Sequence, residues 1–432
     1  MADRGLGGEG GAVTPELSVL IVNYNTWRDC AAAVQSLRQN GPTRADGSPM
    51  PYEVIVVDNA SPLRPPADIE LLRQALADVA ADQRDERSSQ LILHDDNGGY
   101  SKGVNLCFRH SRGRWILVSN PDLLFSPGCI SALQRQLERD PRTGCAVPKG
   151  YWDSEHRGKL PPNRLPTLGD FVWTTLADFV RPLRRRYGRA LVREWLGIWE
   201  AQRPLPMRMM SGCLFLVERG YFESIGLMDE RFPLYYEDSD LSRRIHRSGR
   251  LLVQVPDSKL VHFVNRSGQT DLATMWSRHD ISRDLYFAKW YGPLGRFVHR
   301  GLLRLLKSRV GRALFKTPPD APFVDLGASE QAPVLRFRRC ERFLVLVTPD
   351  PRFHLAGGVL GSGDAWTPTP ELFANFGPTV YWCRAYDLTG GRLDEIGTWR
   401  YERVIAPAAA LPAAPAGPST APAGIDVAAT RD

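Results

Sequence analysis

The 432-residue sequence is poor in the features that mark several common protein classes. Its seven cysteines are scattered, with no CxxC pair, which argues against a zinc site and favours free thiols in a reducing compartment. No basic and then apolar leader opens the chain, so we predict no signal peptide. The longest uncharged run, residues 404–425, carries five prolines among alanines, which predicts a disordered tail over 406–432 rather than a membrane span.

The common phosphate-binding fingerprints are also missing. The glycine-rich stretch Asn97–Asn105 contains GGxxxG, which is neither the dinucleotide pattern GxGxxG nor the Walker pattern GxxxxGK[ST]. This argues against an enzyme that uses NAD or ATP. Glycines ahead of a helix still let the backbone approach a phosphate, and Lys102 either adds charge there or is a solvated surface lysine.

The charge balance narrows the partners only slightly. A net charge of +7 and a pI near 9.1 suit an anionic substrate or a membrane surface but require neither. No recognised nucleic-acid-binding module is present, so we expect no nucleic-acid partner.

What the first part of the chain does contain is a regular alternation of strands and helices. Short apolar runs alternate with amphipathic stretches in the order β-α-β-α-β-α-β, which predicts an α/β fold with a right-handed, mostly parallel sheet. Each strand ends in a small polar cluster, and such clusters converge on one edge of a parallel sheet as a nucleotide-sized crevice. The predicted strands are 17–22, 52–57, 91–94 and 115–118.

The stretch Trp115–Phe125 organises this half of the chain. Its apolar start is typical of a central strand covered on both faces, and Pro121 ends the pairing because it has no N–H to donate. Asp122 then lies just beyond the carboxyl end of a strand, where its carboxylate can hold a hard divalent cation and, through it, a diphosphate. The alternative is that Asp122 only stabilises a turn.

Four motifs at strand ends together resemble one family. VNYN (22–25), VDNAS (57–61), NGGYSKGVN (97–105) and SNPD (119–122) resemble the nucleotide-binding half of a family 2 glycosyltransferase with the GT-A fold, in its bacterial rhamnosyltransferase-like branch. The resemblance covers roughly 17–291 and implies a Mg²⁺ or Mn²⁺ ion at Asp122. It also implies that the following residues bind the nucleotide-sugar: Asn23, Asn25, Asp58, Asn97, Gly99, Asn105 and Asn120.

An acidic cluster marks the second half of the expected site. Glu237, Asp238 and Asp240 open a predicted helix, where acids also serve simply to oppose the helix dipole. The cluster resembles the family's ED motif, which makes Asp238 the catalytic base and gives Glu237 the task of orienting the acceptor. Asp240 is expected to support the site by pairing with Arg243 or Arg244.

His262 follows the next predicted strand, Leu251–Val255, which ends before Pro256. The resemblance implies that it ligates the cation beside Asp122, and the alternative is an ordinary core or surface histidine. Residues 267–270 are expected to form a loop that closes on the donor.

Two segments look particular to this chain. The first is a Trp-, Arg- and Leu-rich helical insertion at 151–206, which separates the nucleotide-sugar half (17–125) from the acceptor half (207–270). The second, 281–316, is basic and amphipathic with aromatics, which predicts peripheral membrane contact; the alternative is a helix that packs on the core with a solvated basic face.

The remaining ends of the chain carry less information. Residues 1–16 are expected to be flexible, and the glycosyltransferase domain is expected to span 17–291. Residues 324–405 are predicted to form a small β-rich accessory module with strands at 343–347, 380–383 and 399–405, and Ala356–Ala365 is predicted to be a loop.

The function these features imply is sugar transfer. We expect an inverting, metal-dependent glycosyltransferase. The first choice of donor is dTDP-L-rhamnose, and the alternative is another dTDP- or UDP-sugar. The acceptor would be a glycan or lipid-linked saccharide of cell-surface polysaccharide, handled in the cytoplasm or at the inner face of the membrane. The alternatives are a nucleotide-sugar-binding scaffold without catalysis and an NAD- or ATP-using enzyme.

Overall fold

The computed structural model describes residues 14–44, 46–179, 181–263, 272–314 and 322–405. The predicted donor-closing loop at 267–270 and the predicted disordered tail at 406–432 lie outside the described residues. Fifteen strands within these ranges join one hydrogen-bonded sheet, and helices cover its faces.

The strands have the following bounds: β1 (Leu17–Asn23), β2 (Tyr52–Asn59), β3 (Ser89–His94), β4 (Trp115–Ser119), β5 (Leu123–Phe125), β6 (Thr143–Tyr151), β7 (Gly158–Lys159), β8 (Leu205–Met207), β9 (Leu214–Glu218), β10 (Leu251–His262), β11 (Val324–Ser329), β12 (Leu335–Thr348), β13 (Gly357–Trp366), β14 (Val380–Asp387) and β15 (Asp394–Arg403). The α-helices have these bounds: α1 (Trp27–Gln39), α2 (Pro66–Gln83), α3 (Tyr100–His110), α4 (Cys129–Arg139), α5 (Leu168–Phe179), α6 (Arg181–Glu200), α7 (Arg219–Ser224), α8 (Glu237–Arg247), α9 (Leu272–Lys307), α10 (Arg309–Leu314) and α11 (Pro370–Ala374).

The first four strands form the predicted parallel sheet, in the order β3-β2-β1-β4. All residues of β1, β2 and β4 are buried, because the apolar side chains on the two faces enter two separate hydrophobic clusters. Burial on both faces explains why these strands read as continuous apolar runs. The parallel α/β prediction for this half is confirmed.

The second half extends the sheet with mixed direction. Strand β9 pairs antiparallel with β4 and with β6, and β10 pairs parallel with β6. Strand β10 is longer than the predicted strand that ends before Pro256, because a bulge between Val255 and Lys259 lets pairing resume. The resumed part pairs His262 with Leu123 of β5, directly beside Asp122.

The C-terminal strands form an antiparallel sheet that is continuous with the rest. Strands β12, β13, β14 and β15 pair as neighbours, and β13 also pairs with β7, so that Gly358 opposes Lys159. The loop predicted over Ala356–Ala365 is therefore wrong. Gly357 packs against the Trp152 ring, and a Cβ on Gly358 would lie 2.6 Å from the Trp199 ring, so these glycines make room for tryptophans rather than for a turn.

Two helical regions complete the fold. Helix α6 buries Trp195 and Trp199 against the C-terminal sheet, so the insertion lies between the two parts of the protein. Helix α9 is kinked at Gly292, where φ is 66° and ψ is −165°, just before Pro293. Among the described residues, no helix combines the length and apolar character that crossing a bilayer requires.

Candidate functional site

The ends of β1 and β2 are braced by a buried polar pair. Asn23 donates from Nδ2 to Asp58 Oδ1 at 3.0 Å, and both side chains are completely buried. Asp58 also accepts from Ser61 Oγ at 2.5 Å and from the Arg64 guanidinium at 3.2 Å. Such a satisfied carboxylate holds the turn after β2 in place.

Asn25 fixes the neighbouring turn. Its φ of 59° is left-handed, a conformation that asparagine tolerates better than most residues. Its backbone N–H donates to Ser61 Oγ at 2.8 Å, and its side-chain oxygen accepts from the Leu63 N–H at 3.0 Å. Both predicted nucleotide-contact segments, VNYN and VDNAS, are therefore tied together at Ser61.

Asn97, at the start of the glycine-rich stretch, has a partner that the sequence did not reveal. Arg278 of α9 donates to Asn97 Oδ1 at 2.7 Å and to the Asn97 carbonyl at 3.1 Å, and Asn59 Nδ2 donates to the same Oδ1 at 3.0 Å. A guanidinium thus reaches the loop at which a diphosphate is expected. Arg278 lies three positions before the basic segment 281–316, so the pattern that predicts that segment does not include it.

Gly99 joins this loop to the acidic helix. Its φ of 93° and its contact with Pro233, whose Cα would lie 2.9 Å from an added Cβ, both require glycine. Tyr100 donates its N–H to the Pro233 carbonyl at 3.2 Å. The glycine-rich stretch consequently packs against the loop that leads into α8.

Asn105 does not fit its predicted role in donor binding. Its Nδ2 donates to the Met228 carbonyl and to Glu230 Oε1, each at 2.9 Å, and its Oδ1 accepts from the Met228 N–H at 3.1 Å. The side chain is buried and its polar atoms are all in use, so it clamps α3 to the 228–230 turn instead.

Asp122 and His262 lie together, as the resemblance implied. His262 Nε2 lies 3.1 Å from Asp122 Oδ1, and the Asn120 side-chain amide nitrogen lies 3.5 Å from the same imidazole nitrogen. Burial opposes a charged imidazole, but the Asp122 carboxylate overcomes it and raises the pKa of His262 to about 10. Asp122 and His262 thus form a buried acid–base pair whose side chains point toward each other.

The donor set at this point fits a divalent cation that is shared with a substrate. Across the ranges described, His, Cys, Asp and Glu side chains nowhere gather in threes as a metal-ligating cluster. One carboxylate and one imidazole nonetheless match a cation that completes its coordination with diphosphate oxygens and water. Asp122 and His262 are the residues that would hold it.

Tyr100 links this pair to the acceptor side. Its hydroxyl lies 3.2 Å from Asn120 Oδ1 and 3.4 Å from the Gly212 carbonyl. Gly212 in turn packs on Asp238, because a Cβ added to it would lie 3.1 Å from the Asp238 Cβ. Asn120 and Asp238, 118 positions apart in the sequence, are thus connected through only two residues.

The start of α8 is strained and acidic. Tyr235 and Tyr236 both have φ of 63°, two consecutive left-handed residues that are not glycine, immediately before Glu237. Asp238 accepts from the Ser239 N–H at 2.7 Å. Burial raises the pKa of Asp238 to about 6, although N–H groups of Ser239 and Gly212 pull it down.

Glu237 is more deeply buried than Asp238. Burial first, and then the charge of Asp238, hold the pKa of the Glu237 carboxyl well above its usual range. Its Oε2 atom is buried and has no hydrogen-bond partner among the described residues. The motif therefore places two acids with raised pKa values side by side, and the pKa of Asp238 is about 6.

Asp240 and Arg243 serve the packing of α8 against α9. Asp240 is fully buried and accepts from Arg244 Nε at 2.8 Å and from Trp290 Nε1 at 2.9 Å. Of the two arginines predicted as its partner, Arg244 is the one in contact. Arg243 donates to the Tyr286 hydroxyl at 2.6 Å and so belongs to the α9 interface rather than to the acceptor side.

A small cavity of about 70 Å³ lies next to the loop that carries Gly212. Its wall includes Ser211 and Cys213, which flank Gly212, together with Asn163 and Trp199 of the insertion. Lys149 lines it as well; burial lowers the pKa of this lysine to about 8, and its ammonium donates to the Trp199 and Ala201 carbonyls. The insertion therefore shapes a cavity at the two residues that flank Gly212.

Comparison with known proteins supports the reading of the first half. Residues 18–195 match the model of the family named Glycosyl transferase family 2. Over 202 residues the chain is 30% identical to the N-acetylglucosaminyl-diphospho-decaprenol L-rhamnosyltransferase of Mycobacterium tuberculosis, covering 44% of this chain and 62% of the relative. The chain thus spans less than two thirds of that relative's length.

Two further similarities are weaker. The chain is 24% identical over 326 residues to the O-antigen biosynthesis protein RfbC of Myxococcus xanthus, covering 74% of this chain and 22% of the relative. The crystal structure of GalNAc-T7 with UDP, GalNAc and Mn²⁺ superposes with a TM-score of 0.40 at 15% identity, covering 70% of this chain and 58% of that one.

Proposed function

Residues 18–195 match the family named Glycosyl transferase family 2, and from that match we propose that this chain is an inverting, metal-dependent glycosyltransferase. The observation that carries the proposal is the series of contacts that joins the donor-side acid to the acceptor-side acid. The Tyr100 hydroxyl lies 3.2 Å from Asn120 Oδ1, beside the Asp122–His262 pair, and 3.4 Å from the carbonyl of Gly212, which packs on Asp238. We infer from these contacts that the two acids border one cleft.

The donor side consists of Asn97, Arg278, Asp122 and His262. Arg278 presents a guanidinium at the glycine-rich loop, where it would bind a diphosphate by charge-assisted hydrogen bonds. When bound at Asp122 and His262, a divalent cation supplies neutralising charge to the leaving diphosphate. Asn23, Asn25 and Asp58 would support the nucleotide mainly by fixing the turns at the strand ends.

The acceptor side depends on Asp238. Its carboxylate accepts the proton of the acceptor hydroxyl while that oxygen bonds to the anomeric carbon and the bond from that carbon to the diphosphate breaks. Attack opposite the leaving group inverts the anomeric centre. A carboxyl with a pKa of about 6 is ionised at neutral pH and still more basic than an ordinary aspartate. Glu237, whose raised pKa favours the protonated carboxyl, would orient the acceptor by donating a hydrogen bond.

The named relatives support a choice of donor and acceptor. The mycobacterial relative is named as an L-rhamnosyltransferase of a diphospho-decaprenol saccharide, which favours dTDP-L-rhamnose as donor and a lipid-linked saccharide as acceptor here. The acceptor would approach past Ser211 and the cavity shaped by the insertion. Cell-surface polysaccharide synthesis is the corresponding process, and segment 281–316 would provide peripheral membrane contact.

A paired binding and transfer experiment tests the proposal. Thermal shift with dTDP, UDP and GDP, each with and without Mn²⁺ or Mg²⁺, should show a metal-dependent rise for one nucleotide, about 2.7 kcal/mol at 100 times its Kd. Asp238→Asn should keep that rise and abolish sugar transfer, whereas the control Asp364→Asn, an exposed carboxylate, should leave both intact.

Two results would contradict the proposal. A loss of nucleotide binding in Asp238→Asn would move Asp238 out of the acceptor side. A normal nucleotide shift in the wild type, together with the absence of transfer or donor hydrolysis across dTDP- and UDP-sugars, would favour a nucleotide-sugar-binding scaffold without catalysis.

A further inference from the structure

Helix α9 has two halves with different environments. Before the kink, Tyr286 and Phe287 are buried, and Arg243 of α8 binds the Tyr286 hydroxyl. After the kink, the chain folds back on the first half: the His299 ring stacks on Phe287 at 4.3 Å, and Arg296 and Arg300 both bind Asp284. The aromatic face of the first half is therefore covered, and the second half is held against it with one face outward.

That outward face carries large apolar side chains. Leu294 and Phe297 are each 73% exposed and Leu305 is 45% exposed. With the exposed Gly301, they recur at intervals of three or four residues, so they lie along one side of the helix. Val310 of α10 is a further 61% exposed. Aligned exposure of this kind, unlike a single exposed leucine, indicates an interaction surface.

The charged residues in the sequence around this face are all positive. From residue 294 to residue 314 the sequence has six Lys or Arg residues and no Asp or Glu. Arg304 and Arg309 are exposed, and neither has an acidic partner among the described residues. A row of apolar side chains beside unneutralised arginines matches the boundary between acyl chains and anionic headgroups.

We propose that the surface formed by Leu294, Phe297, Leu305, Arg304 and Arg309 docks the protein on an anionic phospholipid bilayer. The inference deepens the proposed function, on which it rests, by reducing the predicted contact segment 281–316 to its part beyond Pro293. A second copy of this chain is a poorer occupant, because a two-fold contact through this face would set arginines against arginines.

Docking would also orient the catalytic cleft. Helix α9 contributes Arg278 to the donor loop and Trp290 to Asp240 of the acid-bearing helix α8. The same element that lies on the bilayer is thus tied to both sides of the cleft. A lipid-linked acceptor held in that bilayer would be presented to a cleft of fixed orientation, which lowers the entropy cost of their encounter.

Vesicle sedimentation tests the inference. The full chain is mixed with vesicles of phosphatidylcholine alone or of phosphatidylcholine with phosphatidylglycerol. We expect binding to the mixed vesicles only, at least about tenfold weaker in L294S/F297S because two inserted apolar side chains are lost. The control L63S/L71S alters two leucines, exposed by 60% and 48%, outside α9 and should bind like the wild type.

The outcomes separate this inference from the proposed function. Equal binding of L294S/F297S and wild type to mixed vesicles, or no binding by either, overturns the docking surface. A change in oligomeric state of L294S/F297S by light scattering, without vesicle binding, overturns it in favour of a second copy. The metal-dependent nucleotide shift is measured without vesicles on the same samples, so its loss in the wild type counts against the proposed function alone.

Discussion

Arg278 and Asn97 are joined by two hydrogen bonds, at 2.7 Å to the side-chain oxygen and 3.1 Å to the backbone carbonyl. The two residues are 181 positions apart. The contact fastens the helix that follows the acceptor half to the glycine-rich loop of the donor half. A cleft whose two sides are tied in this way orders the guanidinium before any anion arrives, which reduces the cost of binding.

Loss of this arginine should weaken nucleotide binding. We expect Arg278→Ala to raise the Kd for dTDP about tenfold, since one charge-assisted contact to phosphate is worth about 1.5 kcal/mol or more. Arg278→Lys should recover part of the loss. Titration calorimetry checks this, with Arg309→Ala as an exposed arginine control. A Kd unchanged in Arg278→Ala would limit Arg278 to holding Asn97.

The Asp122–His262 pair should carry the cation dependence. Asp122→Asn and His262→Gln are each expected to abolish the increase that Mn²⁺ or Mg²⁺ gives to the thermal shift by dTDP, because each removes a ligand for the cation. The shift by dTDP alone should change little. His110→Gln, at an exposed histidine, is the control. A retained cation effect in both variants would place the cation elsewhere.

The activity should depend on pH through Asp238. Burial raises the pKa of this carboxyl to about 6, and only the ionised form accepts a proton. We therefore expect kcat/KM to be level above pH 7 and to fall tenfold per pH unit below pH 6. Initial rates at subsaturating acceptor, with nucleotide binding followed at each pH, check this. A fall in kcat/KM that begins only near pH 4 would indicate an ordinary exposed carboxylate instead.

Gly212 should be required for the position of the base. A Cβ there would lie 3.1 Å from the Asp238 Cβ, closer than most such contacts, so Gly212→Ala should displace the carboxylate. We expect kcat to fall about tenfold or more while nucleotide binding and Tm change little. Gly220→Ala, at a helical glycine with nothing within 4 Å, should keep full activity. Equal kcat in the two variants would show that Asp238 tolerates the shift.

The donor half was readable from the sequence because its signals are local. Strands covered on both faces appear as apolar runs, and each ends in its polar cluster. In the acceptor half, an acidic first turn likewise marks the start of α8 at Glu237. The partner of Asp240 was not readable, since Arg243 and Arg244 both have helix-compatible spacing from it. The aromatic residues of α9 decide between them by drawing Arg243 away.

Other features depend on contacts distant in sequence. His262 comes beside Asp122 only because β10 continues past its bulge, which Pro256 had seemed to exclude. Asn105 lies within a motif of the donor half, yet its side chain is hydrogen-bonded to the backbone of Met228. The glycines of β13 suggest a loop in the sequence, but they are needed because tryptophans of the insertion pack directly against the strand.

The pairing of β7 with β13 has a practical consequence for protein production. A chain shortened to end before β11 would leave β7 as an unpaired edge and would uncover Trp195 and Trp199, which α6 packs against β12 and β14. Open edges beside apolar surface recruit strands from other molecules, so such a fragment should aggregate on expression. The boundary of the family match at residue 195, inside α6, is accordingly a poor place to cut.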